Sequence, residues 1–451
     1  LPSLQNYADI IYQCKKDKNL AQARSIHTQL CQYGIQTEMG NFLVPLFVQC
    51  GSISNAEQLF LQLNNRSDHS WNHLIQGYVD CGRLEQAIDA YKSSKVDCVS
   101  PNKHTFVAVL KACSKMKKED EGRKVRIDLA SKGFEKDPFV GSTLVSMYAK
   151  CGLIDEATEV FVDLPIRDVV AWNALISGYI DNGRGNEALK FFDDMISEGV
   201  SPNVITYICT LKICCSLGYI NKVKFLHAEV VKKGLESDLF ASNTLVDTYA
   251  KCGLLEDAWE TFDHLELQDV ISWTSLITGC ADNGHNEKAL FYMDEMQSRG
   301  FAPDGVTLTC SLKACGNMGN IEKGQEAHSD IVKKGFHEDP FIGNALVDMY
   351  IKCQSIEEAR YVFEKLANRD VVSWNTLITG FSEEVLDDKV FNCFEQMQED
   401  GIAPDDVTFI SYLKFCGNMN VATRGQDVYS EIVKKGFEKD QFISSVLVDM
   451  Y

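Results

Sequence analysis

The sequence predicts an all-α fold, a solenoid of helix-turn-helix repeats, and two observations carry that prediction. Trp71, Trp172, Trp273 and Trp374 stand 101 residues apart, as do Pro101, Pro202, Pro303 and Pro404, so the chain repeats itself without a slip in register. Within one repeat the apolar residues fall at helical spacing. Trp172, Leu175, Ile176 and Tyr179 occupy i, i+3, i+4 and i+7. Asn182-Gly183 interrupts that run, and Ala188, Leu189, Phe192 and Met195 form a second helical face that Gly199 and Pro202 close. A pair of such short helices cannot bury its apolar faces alone, so each pair must stack on its neighbours.

Each 101-residue cycle divides into segments of 35, 35 and 31 residues. In chain order the segments are 4–36, 37–67, 68–102, 103–137, 138–168, 169–203, 204–238, 239–269, 270–304, 305–339, 340–370, 371–405, 406–440 and 441–451, expected to form a single array over 1–451. The last is truncated, which predicts a piece of a longer protein. The chain opens at Leu1 with no basic-then-apolar leader, so any targeting peptide is expected upstream of it.

Composition narrows the function classes. The chain is 45% apolar and 24% charged, as folded proteins are. A net charge of −20 argues against a basic protein that coats nucleic acid through bulk electrostatics. No apolar run approaches the ~20 residues of a membrane-spanning helix. The 17 cysteines contain no Cys-x-x-Cys pair. Eight of them recur at the 101-residue period, Cys50, Cys151, Cys252 and Cys353 with Cys113, Cys214, Cys315 and Cys416, and they are expected to be reduced residues at helix-packing faces. His227-Ala228-Glu229 matches the His-x-Glu half of a zinc deaminase signature, but the Pro-Cys-x-x-Cys half is absent and the triplet sits in an amphipathic stretch. No catalytic residue, metal site or cofactor is therefore expected.

The segment "VVAWNALISGYIDNGRGNEALKFFDDMISEGVSPN" from Val169 resembles the pentatricopeptide repeat, and the alternation of 35, 35 and 31 residues resembles the P, L and S motifs of the plant PLS subclass. "VTLTCSLKACGNMGNIEKGQEAHSDIVKKGFHED" from Val306 is similar to an L motif, and "PFIGNALVDMYIKCQSIEEARYVFEKLANRD" from Pro340 to an S motif. The resemblance covers essentially the whole chain. It implies a right-handed α-solenoid superhelix that binds single-stranded RNA in a mitochondrion or chloroplast and specifies cytidines for C-to-U editing. The chain itself would be no enzyme; the deaminase, of the DYW type, would lie outside it. Multiple organellar RNA editing factor proteins are the implied protein partners. The nearest competitor is a tetratricopeptide-like helical-repeat scaffold for protein-protein interaction, which does not give a 101-residue supercycle with a 31-residue third member.

The resemblance also assigns roles to residues. The family reads one base per repeat through the fifth and last residues of a motif, with second residues sandwiching the bases. The pairs here are Asn41 with Ser67, Asn72 with Asn102, Ser142 with Asp168, Asn173 with Asn203, Asn243 with Asp269, Thr274 with Asp304, Asn344 with Asp370 and Asn375 with Asp405. The fifth residue of the L-like segments is Val107, Ile208, Thr309 or Ile410. Asn, Ser and Thr are mediocre inside helices, so their recurrence at one position calls for a partner, either a base edge or the neighbouring segment. The last residues immediately precede helices and suit N-capping, a role that coexists with base selection. The base-stacking positions are Val170, Ile271 and Val372 with Phe139, Phe240 and Phe341, alongside His69 and Phe442; Glu38 departs from the pattern. Under the family's code an amide at the fifth position favours a pyrimidine and a hydroxyl a purine, while a last Asp favours U or G and a last Asn or Ser favours C or A. The implied ligand is 5′-CCNGCNUGNUUN-3′.

Overall fold

The computed structural model describes residues 4–33, 36–383, 387–437 and 440–451. Among them are 27 α-helices, two short 3-10 turns and no strand, and no helix is long and apolar enough to cross a membrane. The all-α expectation holds. The chain divides into two compact units, residues 1–217 and 218–451, and the division falls between the helices Val204–Ser216 and Ile220–Lys232.

Both units are built the same way. In the first, the helix Pro138–Lys150 packs on its own partner Ile154–Asp163 and on the first helices of the flanking segments, Lys103–Met116 and Val169–Asp181. In the second, Val270–Asp282 packs likewise on Asn286–Ser298, Leu239–Lys251 and Gly305–Met318. First helices are thus buried on several sides and read as nearly continuous apolar runs. Charge collects on the second helices, which are tied segment to segment by exposed ion pairs such as Arg123–Glu156 at 3.0 Å and Lys288–Glu256 at 3.2 Å. Exposed pairs of this kind hold register more than they add stability.

The 101-residue series occupies matching places in the core. Trp71, Trp172, Trp273 and Trp374 are buried, each edge-on to the phenylalanine of the preceding helix, Phe60, Phe161, Phe262 or Phe363, with ring centroids 4.5 to 4.7 Å apart. Cys113, Cys214, Cys315 and Cys416 are fully buried, whereas Cys50, Cys151, Cys252 and Cys353 are half-buried at helix ends. Consecutive first helices approach closely at glycine. A Cβ on Gly279 would lie 2.2 Å from Ala250 Cβ and 3.0 Å from its Cα, and Gly178 meets Ala149 in the same way.

Candidate nucleic-acid interface

The fifth residues lie on first helices, one turn in from the N-terminus, and the last residues are the N-caps of the helices that follow. Asp405 illustrates the local construction. Its carboxylate accepts the Thr408 amide at 2.9 Å, while Thr408 Oγ1 accepts the Asp405 amide at 3.2 Å, closing a reciprocal capping box. Ser67, Asn102, Asp168, Asn203, Asp269, Asp304 and Asp370 all take the same N–H of the next helix's third residue, at 2.8 to 3.2 Å. Asp137, Asp238, Asp339 and Asp440 cap in the L-like segments too.

The cap atom is also what the fifth residue touches. Asn375 Nδ2 donates to Asp405 Oδ1 at 2.9 Å, Asn173 Nδ2 to Asn203 Oδ1 at 3.0 Å, and Asn243 Nδ2 to Asp269 Oδ1 at 3.1 Å. Ser142 Oγ lies 3.1 Å from Asp168 Oδ1 and 2.6 Å from the Pro138 carbonyl. Asn41 Oδ1 accepts the backbone amide of Ser67 at 3.0 Å. The fifth and last residues of these segments, 26 or 30 positions apart, therefore form contiguous polar pairs. Asn72 and Thr274 are joined to their last residues through a third side chain, described next.

A third residue completes the set, and the sequence reading missed it. The third residue of the following segment places a hydroxyl on the fifth residue. Thr105 Oγ1 donates to Asn72 Oδ1 at 2.6 Å, Thr206 Oγ1 to Asn173 Oδ1 at 2.6 Å, Thr408 Oγ1 to Asn375 Oδ1 at 2.5 Å, and Ser70 Oγ to Asn41 Oδ1 at 2.8 Å. Thr307 Oγ1 lies 2.7 Å from Thr274 Oγ1, which itself donates to the Val270 carbonyl, and the same Thr307 hydroxyl reaches Asp304 Oδ1 at 2.7 Å. After the L-like segments, whose fifth residues are Val107, Ile208, Thr309 and Ile410, the third residue is apolar: Val140, Ala241, Ile342 and Ile443; Ala171, which follows the segment of Ser142, likewise carries no hydroxyl. Ser272 and Ser373 turn instead to Asp269 and Asp370, and Asn243 Oδ1 and Asn344 Oδ1 remain buried without a partner.

The second residues stand beside these pairs and are exposed. Phe240 is 74% and Phe341 83% accessible, which a core position would not be; Phe139, Phe442, Val170, Ile271, Val372 and His69 are exposed as well. The side chain of Glu38 lies outside the described residues. One turn beyond the fifth residue, and so on the same helix face, each L-like segment carries a lysine: Lys111, Lys212, Lys313 and Lys414, again 101 residues apart. All four are exposed, and Lys313 pairs with Asp282 at 2.7 Å. The period that exposed the tryptophans would have found them. The lysine pairs closing second helices are engaged structurally: Lys232 with Glu229, Lys333 with Asp330, and Lys334 and Lys435 on the Pro303 and Pro404 carbonyls.

The His-x-Glu triplet has a packing role. His227 Nδ1 lies 2.9 Å from the Tyr249 hydroxyl, and one cycle on His328 meets Tyr350 at 2.8 Å; burial lowers the pKa of both imidazoles. No group of three metal-ligating side chains assembles among the described residues.

Chemically, the directly bonded pairs engage part of each headgroup in holding the fold. An amide has two N–H donors and one oxygen acceptor. In Asn375 one N–H and the oxygen are engaged, so the headgroup cannot flip. At the last residue Oδ1 is committed to the cap, which leaves the second atom of the headgroup, an oxygen in Asp and an NH2 in Asn, except that Asp269 Oδ2 also accepts from Asn243 Nδ2 at 3.3 Å.

A profile described as the PPR repeat family matches residues 66–115, 167–216, 268–337 and 369–418, and one described as PPR repeat matches 142–169 and 240–270. The chain is 33% identical to the pentatricopeptide repeat-containing protein At5g65570 of Arabidopsis thaliana over 98% of its own length and 60% of that protein. It is 31% identical to At1g11290, chloroplastic, of the same plant over 91% of its own length and 51% of that protein. It thus spans between half and three fifths of these relatives. The crystal structure of the pentatricopeptide repeat protein PPR10 in complex with an 18-nt psaJ RNA element aligns with 18% identity and a TM-score of 0.42, over all of this chain and 79% of that one. With profile matches over more than half of its length, the chain belongs to the PPR repeat family.

Proposed function

We propose that the chain binds single-stranded RNA in a sequence-specific manner, one base per polar pair, with 5′-CCNGCNUGNUUN-3′ as the preferred ligand. The observation that carries this reading is the fifth-to-last side-chain contact, with the cap bond fixing which atom of the last residue faces outward. A last Asp then offers an acceptor, which suits the ring N–H of uracil and guanine. A last Asn offers a donor, which suits the bare ring nitrogen of cytosine and adenine. The exposed second residues Phe139, Val170, Phe240, Ile271, Phe341 and Val372 supply apolar faces between bases. Binding and randomised-selection experiments test the reading. Thr274→Asn should move its base from G toward U, changing discrimination by about 1–3 kcal/mol. The same base selected by variant and parent, or no preference for the ligand over a scrambled RNA, would overturn it.

The same reading places the protein among plant PLS-type editing factors in a mitochondrion or chloroplast. The array would act as the address for C-to-U conversion, and a DYW-type deaminase outside the chain and multiple organellar RNA editing factor proteins would complete it. Loss of the parent gene should abolish conversion at a cytidine beside the bound site. Unchanged editing of every organellar transcript would remove this part.

A further inference from the structure

The second unit contains a cavity of about 480 Å³ whose lining includes His227, Glu236, Tyr249 and Glu260. One cycle earlier the corresponding residues are Arg126, Glu135, Tyr148 and Glu159, each 101 positions before its counterpart. There an arginine is paired with both carboxylates. Arg126 Nε lies 3.4 Å from Glu135 and its Nη1 3.5 Å from Glu159, with the guanidinium 5.9 Å from the centre of the Tyr148 ring. In the second cycle both carboxylates and the ring are retained while the cation is replaced by a shorter, half-buried imidazole that turns to the Tyr249 hydroxyl. Among the described residues no cationic side chain lies within 4.0 Å of Glu236 or Glu260; the neighbouring Asp257 is held by Lys224 at 3.1 Å. One cycle further on the set reads His328, His337, Tyr350 and Tyr361, with no carboxylate. The second cycle therefore keeps a guanidinium cage without its guanidinium.

We propose that this cavity binds the guanidinium of an arginine side chain supplied by a partner protein. Planar, five-donor guanidinium suits two carboxylates flanking an aromatic face, the arrangement that Arg126 occupies within the chain. The occupant comes from a polypeptide because the cavity is several times the size of the headgroup. Beside the charges it offers apolar wall, Val231, Leu245 and Leu265, for an aliphatic stem and the residues flanking it. The chain's charge of −20 favours approach by a basic segment.

Isothermal titration of the 451-residue chain with a capped five-residue Gly-Ala-Arg-Ala-Gly peptide, with its lysine counterpart, and with free argininamide tests the assignment. The arginine peptide should bind, with the lysine peptide at least about tenfold weaker for want of bidentate bonds. Glu260→Gln and Glu236→Gln should each weaken binding by about tenfold, the effect of one charge-assisted hydrogen bond. His227→Arg, which rebuilds the cage of the preceding cycle, should fill the cavity from within, abolish binding and leave the thermal midpoint unchanged or raised. Absence of binding, or binding unchanged in His227→Arg and in both glutamine variants, would overturn the site. Argininamide bound with the peptide excluded would overturn the partner-protein occupant. RNA affinity enters none of these readouts, so the outcome stands apart from the RNA-binding proposal.

Discussion

At Asn375 three side chains and one helix terminus meet within hydrogen-bond distance, so the proposed base-reading atoms are also atoms that hold the fold. Thr408 donates to the Asn375 oxygen, Asn375 donates to Asp405, and Asp405 caps the helix Asp406–Asn418. Thr408→Val removes the hydroxyl that fixes the amide. Base discrimination at that position should fall by about 1 kcal/mol, the worth of one hydrogen bond, whereas Thr408→Ser should retain it; the ratio of Kd values for RNAs differing at that base is the measurement. Asp405 also gives a pH signature. Burial alone would raise its pKa, but the Thr408 amide, the Asn375 side chain and the Thr408 hydroxyl outweigh that and hold it below the usual carboxylate value. A depressed folded-state pKa means that its stabilisation is complete above the unfolded value of about 4 and is lost as pH falls through the folded one. Urea midpoints of the parent should thus decline relative to Asp405→Asn, which keeps the cap, below about pH 4, with a constant gap from pH 5 to 8. The fifth residues stood out in the sequence because amides and hydroxyls recur at one position inside a helix, whereas the last residues read as ordinary N-caps and were paired with them by the family resemblance. The Thr408 class did not stand out, because a buried threonine at the third helical position is unremarkable until its partner, 33 residues earlier, is brought beside it.

Between elements, the separation of first helices is set by residues with little or no side chain. Gly279 faces Ala250 at a distance that leaves no room for a methyl group, and both lie in the second unit. Gly279→Ala should cost about 1–3 kcal/mol through overpacking, read as a lower urea midpoint, and Ala250→Gly in the same chain should recover part of the loss. The helical pairs were legible from apolar spacing, and Asn182-Gly183, Asn283-Gly284 and the Gly-x-x-Pro breaks at 199–202, 300–303 and 401–404 mark boundaries among the P-like segments. The closeness of packing was not. Glycine in a helical pattern signals a turn or a contact equally, and it takes the neighbouring helix to decide which.

For the whole molecule, the −20 charge bears on how RNA would be held. First helices carry few charges, and in the L-like segments the exposed Lys111, Lys212 and Lys414 share a face with the apolar fifth residue. On the proposed reading these segments select no base, and an exposed ammonium there suits phosphate. Changing each of the three to Gln should weaken binding equally for matched and mismatched RNA and reduce the slope of log K against log salt by about 1 per lysine. An effect confined to the matched RNA would assign them to base reading instead.

The Thr408 contact has one more consequence, for anyone who would cut and splice such arrays. A joint made at a motif boundary separates Asn375 and Asp405 from the hydroxyl that orients them, because that hydroxyl belongs to the next segment. The transplantable cassette therefore begins just before one fifth residue and ends just after the third residue of the following segment. Shuffled by sequence motif, a cassette leaves behind one of its own contacts; shuffled by contact set, it carries all of them.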